Sequence, residues 1–241
     1  MSIRNTLRLL LNSPLTRHRK LTTLAGYVRW QVGSRLVPGP VAVPFAGRGR
    51  LLARPGQHSA TGNHYLGLQE FEDMAFVLHA LRPGDHLVDG GANIGAYTVL
   101  AGLNGARVTA FEPLPDTFQA LQDNVRLNGL EALVDARNEG LGAAAGALRF
   151  TQGLDCVNHV AREGDTAVIE RPVVRLDDAV ADRDVTLFKL DVEGFETPVI
   201  EGAAAMLRRT QAVLIELNGA GRQYGYDDDG IHAALLAAGL A

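Results

Sequence analysis

The spacing of hydrophobic and polar residues along the chain predicts helices and strands in alternation. Apolar residues recur at helical spacing over residues 70–81, and shorter apolar runs alternate with further helical segments after them. Predicted strands begin near residues 86, 107, 133, 185 and 212, and predicted helices cover about 115–128, 197–208 and 228–238. This order predicts the α/β class, a three-layer sandwich in which a mostly parallel sheet lies between helices.

The remaining segments have weaker patterns. Residues 37–44 contain three prolines and predict a linker, which divides the chain into a basic helical extension (1–45) and a main domain (46–241). Residues 47–55 and 61–68 predict a small hairpin and a covering loop, and residues 139–176 predict an irregular region. Thr197 and Pro198 predict the N-cap and first turn of their helix.

A glycine-rich turn follows the first predicted strand of the main domain, in His86-Leu-Val-Asp-Gly-Gly-Ala-Asn-Ile-Gly95. Gly91 and Gly95 are expected to let the backbone approach a ligand, and the N–H groups of the next helix would face it. The next strand ends at Glu112, about 20 residues after Asp89, where a carboxylate that binds a ribose is expected. These residues predict a nucleoside pocket.

Asn93 indicates which nucleoside the pocket takes. A dinucleotide fold has the turn G-x-G-x-x-G, whose glycines admit a pyrophosphate, whereas here Asn93 holds the middle place. Its side chain would crowd a pyrophosphate but can bind an amino-acid group. The turn therefore favours S-adenosylmethionine as cofactor and opposes a nicotinamide-dependent oxidoreductase.

Four motifs in this order resemble the FkbM-type S-adenosylmethionine-dependent methyltransferases. They are Val88-Asp-Gly-Gly-Ala-Asn-Ile-Gly95, Phe111-Glu-Pro113 with Leu121-x-x-Asn124-x-x-x-Asn128, Phe188-Lys-Leu-Asp-Val-Glu-Gly-Phe-Glu196, and Leu214-Ile-Glu216. The resemblance implies a Rossmann-like O-methyltransferase that acts on a hydroxyl of a sugar, glycolipid or other natural product, with Asn138 near the adenine. Methyltransferases of this fold usually have two more strands after the last helix, so either the chain is truncated or the sheet is short at one edge; an exposed edge tends to pair, which favours a partner chain and is compatible with a homodimer.

The strand-closing acids are the candidates for catalysis, since ligands bind outside the carboxyl ends of parallel strands. Asp191 is expected beside the reacting methyl group, and Asp89 beside the amino end of the methionine. Lys189 points to the same strand face as Asp191, so an ion pair is expected to orient the carboxylate, with Glu216 and Glu193 nearby. The same pair is also compatible with a purely structural role.

Two alternatives remain open at this stage. His64 lies in a polar segment ahead of the domain, where it is a second candidate for the general base. Asp191 and Glu216 together are compatible with Mg²⁺, but two separated acids are weak evidence, and no metal site is predicted. A cofactor-binding but catalytically silent partner, recruited through its basic N-terminus, is the alternative to an enzyme.

Charge is divided unevenly along the chain. Ten Arg and Lys residues precede the first acid, Glu70, so residues 1–69 carry about +10 and the remainder about −14. Ile3, Leu7, Leu10 and Leu11 lie on one helical face beside Arg4 and Arg8, a pattern that fits either peripheral contact with an anionic membrane or docking on an acidic surface of the same protein or a second subunit.

The amino-acid composition argues against some classes of partner and some cellular compartments. Aromatic residues make up 6% of the chain, which provides no concentrated base-stacking surface and argues against a nucleic-acid partner. The single cysteine, Cys156, excludes an intrachain disulfide and suits a reducing compartment. The sequence contains neither a long apolar run nor a signal-peptide pattern, and we expect a cytoplasmic protein, peripheral to a membrane at most.

Overall fold

The computed structural model describes residues 3–37, 39–181 and 183–240. The helices are α1 (Ile3–Asn12), α2 (Lys20–Gly33), α3 (His58–Leu66), α4 (Phe71–Ala80), α5 (Ala96–Leu103), α6 (Pro115–Leu127), α7 (Leu176–Ala179), α8 (Glu196–Glu201), α9 (Ala204–Leu207) and α10 (Asp228–Ala237). The strands are β1 (Val41–Phe45), β2 (Gly49–Ala53), β3 (His86–Gly90), β4 (Arg107–Phe111), β5 (Val134–Arg137), β6 (Gly140–Leu141), β7 (Gly146–Thr151), β8 (Val168–Val174), β9 (Val185–Leu190) and β10 (Thr210–Ile215). Two short 3₁₀ helices cover Asp155–Val157 and Ala220–Tyr224.

A five-stranded parallel sheet is the centre of the molecule, with the order β10-β9-β3-β4-β5. All residues of the middle strand β3 are buried, as expected for a parallel strand covered on both faces. Two cores lie on the sheet: one contains Leu87 and Leu100, and the other contains Val88 and Phe188. The predicted α/β sandwich with a mostly parallel sheet is confirmed.

The region assigned as irregular, residues 139–176, is more ordered than its sequence indicates. It contains a second sheet of three strands in the order β6-β8-β7, in which β7 and β8 are antiparallel. Most positions of β8 are only partly buried, and Pro172 interrupts its hydrophobic pattern. The apolar signal is therefore weak, and the irregular assignment was wrong.

The helix predicted over residues 197–208 is divided into α8 and α9. Gly202 lies at the break, where a Cβ would come within 2.1 Å of the carbonyl oxygen of Gly142, so the chain is closely packed there. α8 begins at Glu196, and Thr197 is a helical residue, not the predicted N-cap. The Glu196 carboxylate instead accepts hydrogen bonds from the N–H groups of Val192 and Gly194, both at 3.1 Å.

Two helices and a hairpin precede the main sheet. The basic segment forms helices α1 and α2. Leu10 of α1 is buried. For Ile3, Arg4 and Leu7 the structure describes the helical backbone but not the side chains. The predicted linker is wrong in its second half, because β1 begins at Val41 and pairs with β2. The expected covering loop is helix α3.

Asn124 of α6 and Asn128, the C-cap of the same helix, hold the hairpin against the domain. Asn124 Oδ1 accepts the N–H of Leu52 at 2.7 Å, and Asn124 Nδ2 donates to the carbonyl of Ile94 at 2.8 Å. Asn128 pairs with both backbone groups of Arg50, at 2.9 and 2.8 Å. The predicted boundary between the N-terminal extension (1–45) and the main domain (46–241) therefore falls inside this hairpin, between β1 and β2. The division into these two parts stays a prediction.

Replacing Asn124 by Ala is expected to lower the free energy of unfolding by about 2–4 kcal/mol, because a buried N–H and a buried carbonyl would lose their partners. Asn128→Ala is the matched control, since its hairpin partners are exposed and water can replace the amide; we expect a loss of about 1 kcal/mol or less. Urea unfolding of the three proteins measures both values. Equal losses for the two variants would contradict this account.

Candidate active site

One cavity lies where the strand order of the parallel sheet reverses. From β3 the chain continues to β4 on one side, and it returns to β9 on the other, which is the place where such sheets bind ligands. The cavity has a volume of about 320 Å³, within the range of small-molecule sites. Its wall includes residues from the turn after β3, from the segment after β4, from the ends of β9 and β10, and from residues 155–159.

The glycine turn is shaped mainly by contacts within the protein. Gly91 borders the cavity with φ +74°, and a Cβ there would come within 1.8 Å of the carbonyl oxygen of Asp191. Gly95 has φ +84° at the start of α5, and a Cβ would lie 3.1 Å from Leu121. Close approach to a ligand was the expected reason for both glycines. The structure adds a second reason, because the end of β9 and helix α6 leave no room for a Cβ at these positions, and the ligand contact stays a prediction.

Asn93 and Glu112 meet in the wall of the cavity. Asn93 has φ +51°, a conformation that asparagine tolerates, and its Oδ1 accepts the N–H of Ile94 at 2.7 Å. Glu112 accepts the N–H of Asn93 through Oε2 and that of Leu114 through Oε1, both at 3.0 Å. Burial raises the pKa of Glu112 to about 7, although both backbone bonds oppose the shift. The carboxylate joins the turns after β3 and β4.

Asp89 and Asn138 lie behind the wall of the cavity. Asp89 is fully buried, and its Oδ2 accepts the hydroxyl of Thr98 at 2.6 Å. Burial raises the pKa of Asp89, against the attraction of Lys189. Asn138 Nδ2 donates to the carbonyls of Glu112 and Pro113, at 2.9 and 3.0 Å. Neither side chain is in the lining of the cavity, and both support its wall; the expected contacts with the methionine and the adenine stay predictions.

Lys189 is the buried cation of the site. Its Nζ donates to the carbonyl of Gly91 at 3.1 Å and lies 3.4 Å from Asp191 Oδ2 and 3.8 Å from Asp89 Oδ1. The ring of Tyr97 lies 5.2 Å away, within cation–π range. Burial alone would lower the pKa of Lys189, but the carboxylates of Asp191 and Asp89 together outweigh it and raise the pKa. The expected Lys189–Asp191 pair is present.

Three acids gather at the ends of β9 and β10. Asp191, Glu193 and Glu216 all border the cavity. Burial, together with repulsion from Asp191 and Glu216, raises the pKa of Glu193 to about 7, and its backbone has φ +57°. Partial burial and repulsion from Asp191 also raise the pKa of Glu216. Within the described ranges, no group of three or more His, Cys, Asp or Glu residues is arranged to hold a metal ion.

Sequence reasoning missed several residues of the wall. Glu70 Oε2 accepts the hydroxyl of Tyr97 at 2.6 Å, and both residues border the cavity. His159 also borders it, and its Nε2 lies 3.4 Å from Asp165 Oδ2. Asp155 holds this segment to α3 by accepting the N–H of His58 at 2.8 Å. Glu70 lies at the start of a predicted helix, whereas Asp155 and His159 lie in the region assigned as irregular, and no local signal marks any of the three as part of a cavity wall.

A second cavity of about 470 Å³ lies between α1, α2 and α3 and shares Gln69 and Cys156 with the first. Tyr27, Trp30 and Tyr65 form its aromatic part. Gln69 Oε1 is buried and has no hydrogen-bond partner among the described residues. Gln69 is therefore an unpaired polar group at the junction of the two cavities.

His64 does not lie in either cavity. It is in helix α3, with its ring 5.2 Å from that of Trp30, and burial and the nearby Arg29 lower its pKa. The alternative that His64 is the general base, on a loop that closes over the site, is therefore wrong.

The sheet order, the turn after β3 and Glu112 in the cavity wall define a Rossmann-like domain of the S-adenosylmethionine-dependent methyltransferase class. A model of the FkbM methyltransferase domain matches residues 89–239, more than half of the sequence, and the chain belongs to this family. Its cofactor is S-adenosyl-L-methionine.

Individual relatives cover part of the chain. The 31-O-demethyl-FK506 methyltransferase FkbM of Streptomyces tacrolimicus is 34% identical over 175 residues, covering 57% of this chain and 67% of that protein. The hexuronic acid methyltransferase AglP of Haloferax volcanii is 27% identical and covers 62% of each chain. The chain thus spans about two thirds of the length of these relatives. An rRNA methylase structure from Streptococcus thermophilus has a TM-score of 0.43 at 12% identity and covers 68% of this chain and 76% of its own.

Glu112→Gln is expected to weaken the binding of S-adenosylmethionine about thirtyfold or more, because an ionised acceptor of the ribose hydroxyls becomes a neutral amide. Since the pKa of Glu112 is about 7, a proton competes with the cofactor, and the affinity of the unaltered protein should fall as the pH drops below that value. The variant should lose this pH dependence. Calorimetric titration measures both effects.

The matched control is Glu131→Gln, which alters an exposed glutamate outside the cavity. It should keep both the affinity and its pH dependence. If Glu112→Gln binds the cofactor as tightly as the unaltered protein at every pH, Glu112 does not hold the ribose.

Proposed function

We propose that this protein transfers a methyl group from S-adenosylmethionine to a hydroxyl group on a sugar, glycolipid or other natural product. The observation that supports this proposal most is that Asp191, paired with Lys189, borders the same cavity as Glu112. A candidate proton acceptor and a candidate ribose-binding group therefore face one space. The names of the two relatives, a 31-O-demethyl-FK506 methyltransferase and a hexuronic acid methyltransferase, support an oxygen acceptor.

The residues of the wall fit the cofactor. Each carboxylate oxygen of Glu112 accepts one backbone N–H and keeps a further lone pair, so the group can also accept the two ribose hydroxyls. The turn at Gly91 and Asn93 borders the space beside it. When bound, the cofactor supplies a methyl group activated by a positively charged sulfur. The protein must then place the acceptor and take up a proton.

Asp191 is the residue that we assign to proton transfer. Its carboxylate borders the cavity, and its side chain is 30% exposed, so the proton taken from the acceptor hydroxyl can pass on to water. Lys189 is a positioning residue: it holds the carboxylate while it also bonds the carbonyl of Gly91. Glu193 and Glu216 lie close enough to Asp191 that its charge, together with their burial, raises the pKa of both glutamates.

The second cavity is the proposed place for the body of the acceptor. It adjoins the first cavity through Gln69 and Cys156, which border both. Its wall has aromatic side chains and Arg35 but no acid. These features support a neutral or anionic acceptor with a ring that packs on aromatic groups.

Asp191→Asn is expected to lower kcat by about a hundredfold or more, because the amide cannot accept the hydroxyl proton. The affinity for S-adenosylmethionine should stay nearly unchanged. Asp135→Asn, at an exposed position of β5, is the matched control and should keep full activity. Turnover by both variants, measured under cofactor saturation, checks the assignment, and an unchanged kcat in Asp191→Asn would contradict it.

The acceptor class is tested with cofactor carrying a ¹³C-labelled methyl group and a panel of glycans, glycolipids and polyketides. Nuclear magnetic resonance of the products distinguishes a methyl group on oxygen from one on nitrogen or carbon. Label on nitrogen or carbon would contradict the proposal. Tight cofactor binding with no transfer to any acceptor would favour the silent partner module.

A further inference from the structure

Helix α2 has two faces with different surroundings. Its inner face packs on the protein and lines the second cavity, with Trp30 buried. Its outer face carries large apolar side chains that are more than half exposed: Leu21 is 85% exposed, Val28 59% and Val32 58%. Leu36, just beyond the helix, is 77% exposed. The outer face therefore leaves a considerable apolar surface without a cover among the described residues.

The spacing places these side chains in one line. Leu21, Ala25, Val28 and Val32 follow one another at intervals of four, three and four residues, so they lie along one side of the helix. Ala25 is also exposed. We call these four residues and Leu36 the outer stripe. Single exposed apolar residues are ordinary on protein surfaces, whereas a continuous stripe marks an interaction site.

The charge beside the outer stripe shows what it can bind. Lys20, Arg29 and Arg35 are exposed next to it, and no acid occurs before Glu70. Within the described part of the chain, none of these three cations forms a salt bridge. An apolar line flanked by cations is the pattern of a helix that lies in the interface of an anionic membrane.

A second copy of the chain is the less favourable occupant. Two copies that met through the outer stripe would bring the same cations face to face, since residues 1–69 contain no acid to pair with them. An anionic lipid surface instead takes up the apolar side chains and attracts the cations. No helix among residues 3–37, 39–181 and 183–240 is long and apolar enough to cross a membrane.

We infer that the outer stripe of α2 attaches this protein to anionic membrane surfaces, with the helix lying parallel to the surface. Leu21, Val28, Val32 and Leu36 enter the boundary between headgroups and acyl chains, and Lys20, Arg29 and Arg35 meet the anionic headgroups. The attachment needs neither the cofactor nor an acceptor. The inference is therefore independent of the proposed methyl transfer, and the two are tested by different experiments.

The test is cosedimentation of the full chain with vesicles of phosphatidylcholine and phosphatidylserine at a ratio of about three to one, and with vesicles of phosphatidylcholine alone. The protein should sediment with the anionic vesicles and much less with the neutral ones, and added salt should release it. Leu21→Gln/Val28→Gln should lower the partition coefficient about tenfold or more, because two apolar anchors are lost.

The matched control is Leu127→Gln/Leu236→Gln, which alters two exposed leucines on other helices and should leave partitioning unchanged. Lys20→Gln/Arg29→Gln, at two exposed cations outside both cavities, tests the charges separately and should weaken binding to the anionic vesicles alone. Circular dichroism checks that each variant is folded.

Three results would overturn the inference. The first is that the unaltered protein does not bind anionic vesicles. The second is that the Leu21→Gln/Val28→Gln variant partitions into these vesicles as strongly as the unaltered protein. The third is that the unaltered protein forms a dimer in sedimentation velocity and the variant does not. The last result would assign the outer stripe to a second copy of the chain.

Discussion

The buried ammonium of Lys189 is the interaction on which the site depends. A charge without water around it is costly unless it is paired and hydrogen-bonded. Here it has a carbonyl, that of Gly91, and two carboxylates, those of Asp191 and Asp89. Because these groups come from the ends of β3 and β9, one cation joins the two strands at the point where the order of the sheet reverses. The position of Asp191 follows from this arrangement.

The same principle extends along the carboxyl edge of the sheet. Glu112 joins the turns after β3 and β4 through two backbone N–H groups. Asn138, after β5, bonds the carbonyls of Glu112 and Pro113, and Arg171 of the second sheet bonds Asn138 in turn. Each side chain thus holds the backbone of the neighbouring connection. Polar side chains thus bond the wall of the cavity from behind, and only some of those side chains border the cavity.

The sequence predicted what depends on local pattern. Buried parallel strands have short apolar runs, and residues two apart on a strand share a face, so the sheet and the Lys189–Asp191 pair were predicted correctly. Contacts between distant segments were not predictable in this way. The neighbour that requires Gly91 is residue 191, a hundred positions later, and Glu70 enters the wall through Tyr97. The second sheet was missed because its half-exposed strands lack a clear apolar pattern.

The attachment of the hairpin has a consequence for evolution. Within the hairpin, Asn124 and Asn128 bond only backbone atoms, those of Leu52 and Arg50, and every residue except proline offers the same N–H and carbonyl. Mutations at the outward positions of the hairpin can therefore accumulate without loosening it, as long as α6 and its C-cap keep the two asparagines. We expect homologous proteins to conserve the asparagines at positions 124 and 128, while the sequence of strand β2, which these asparagines bond, diverges.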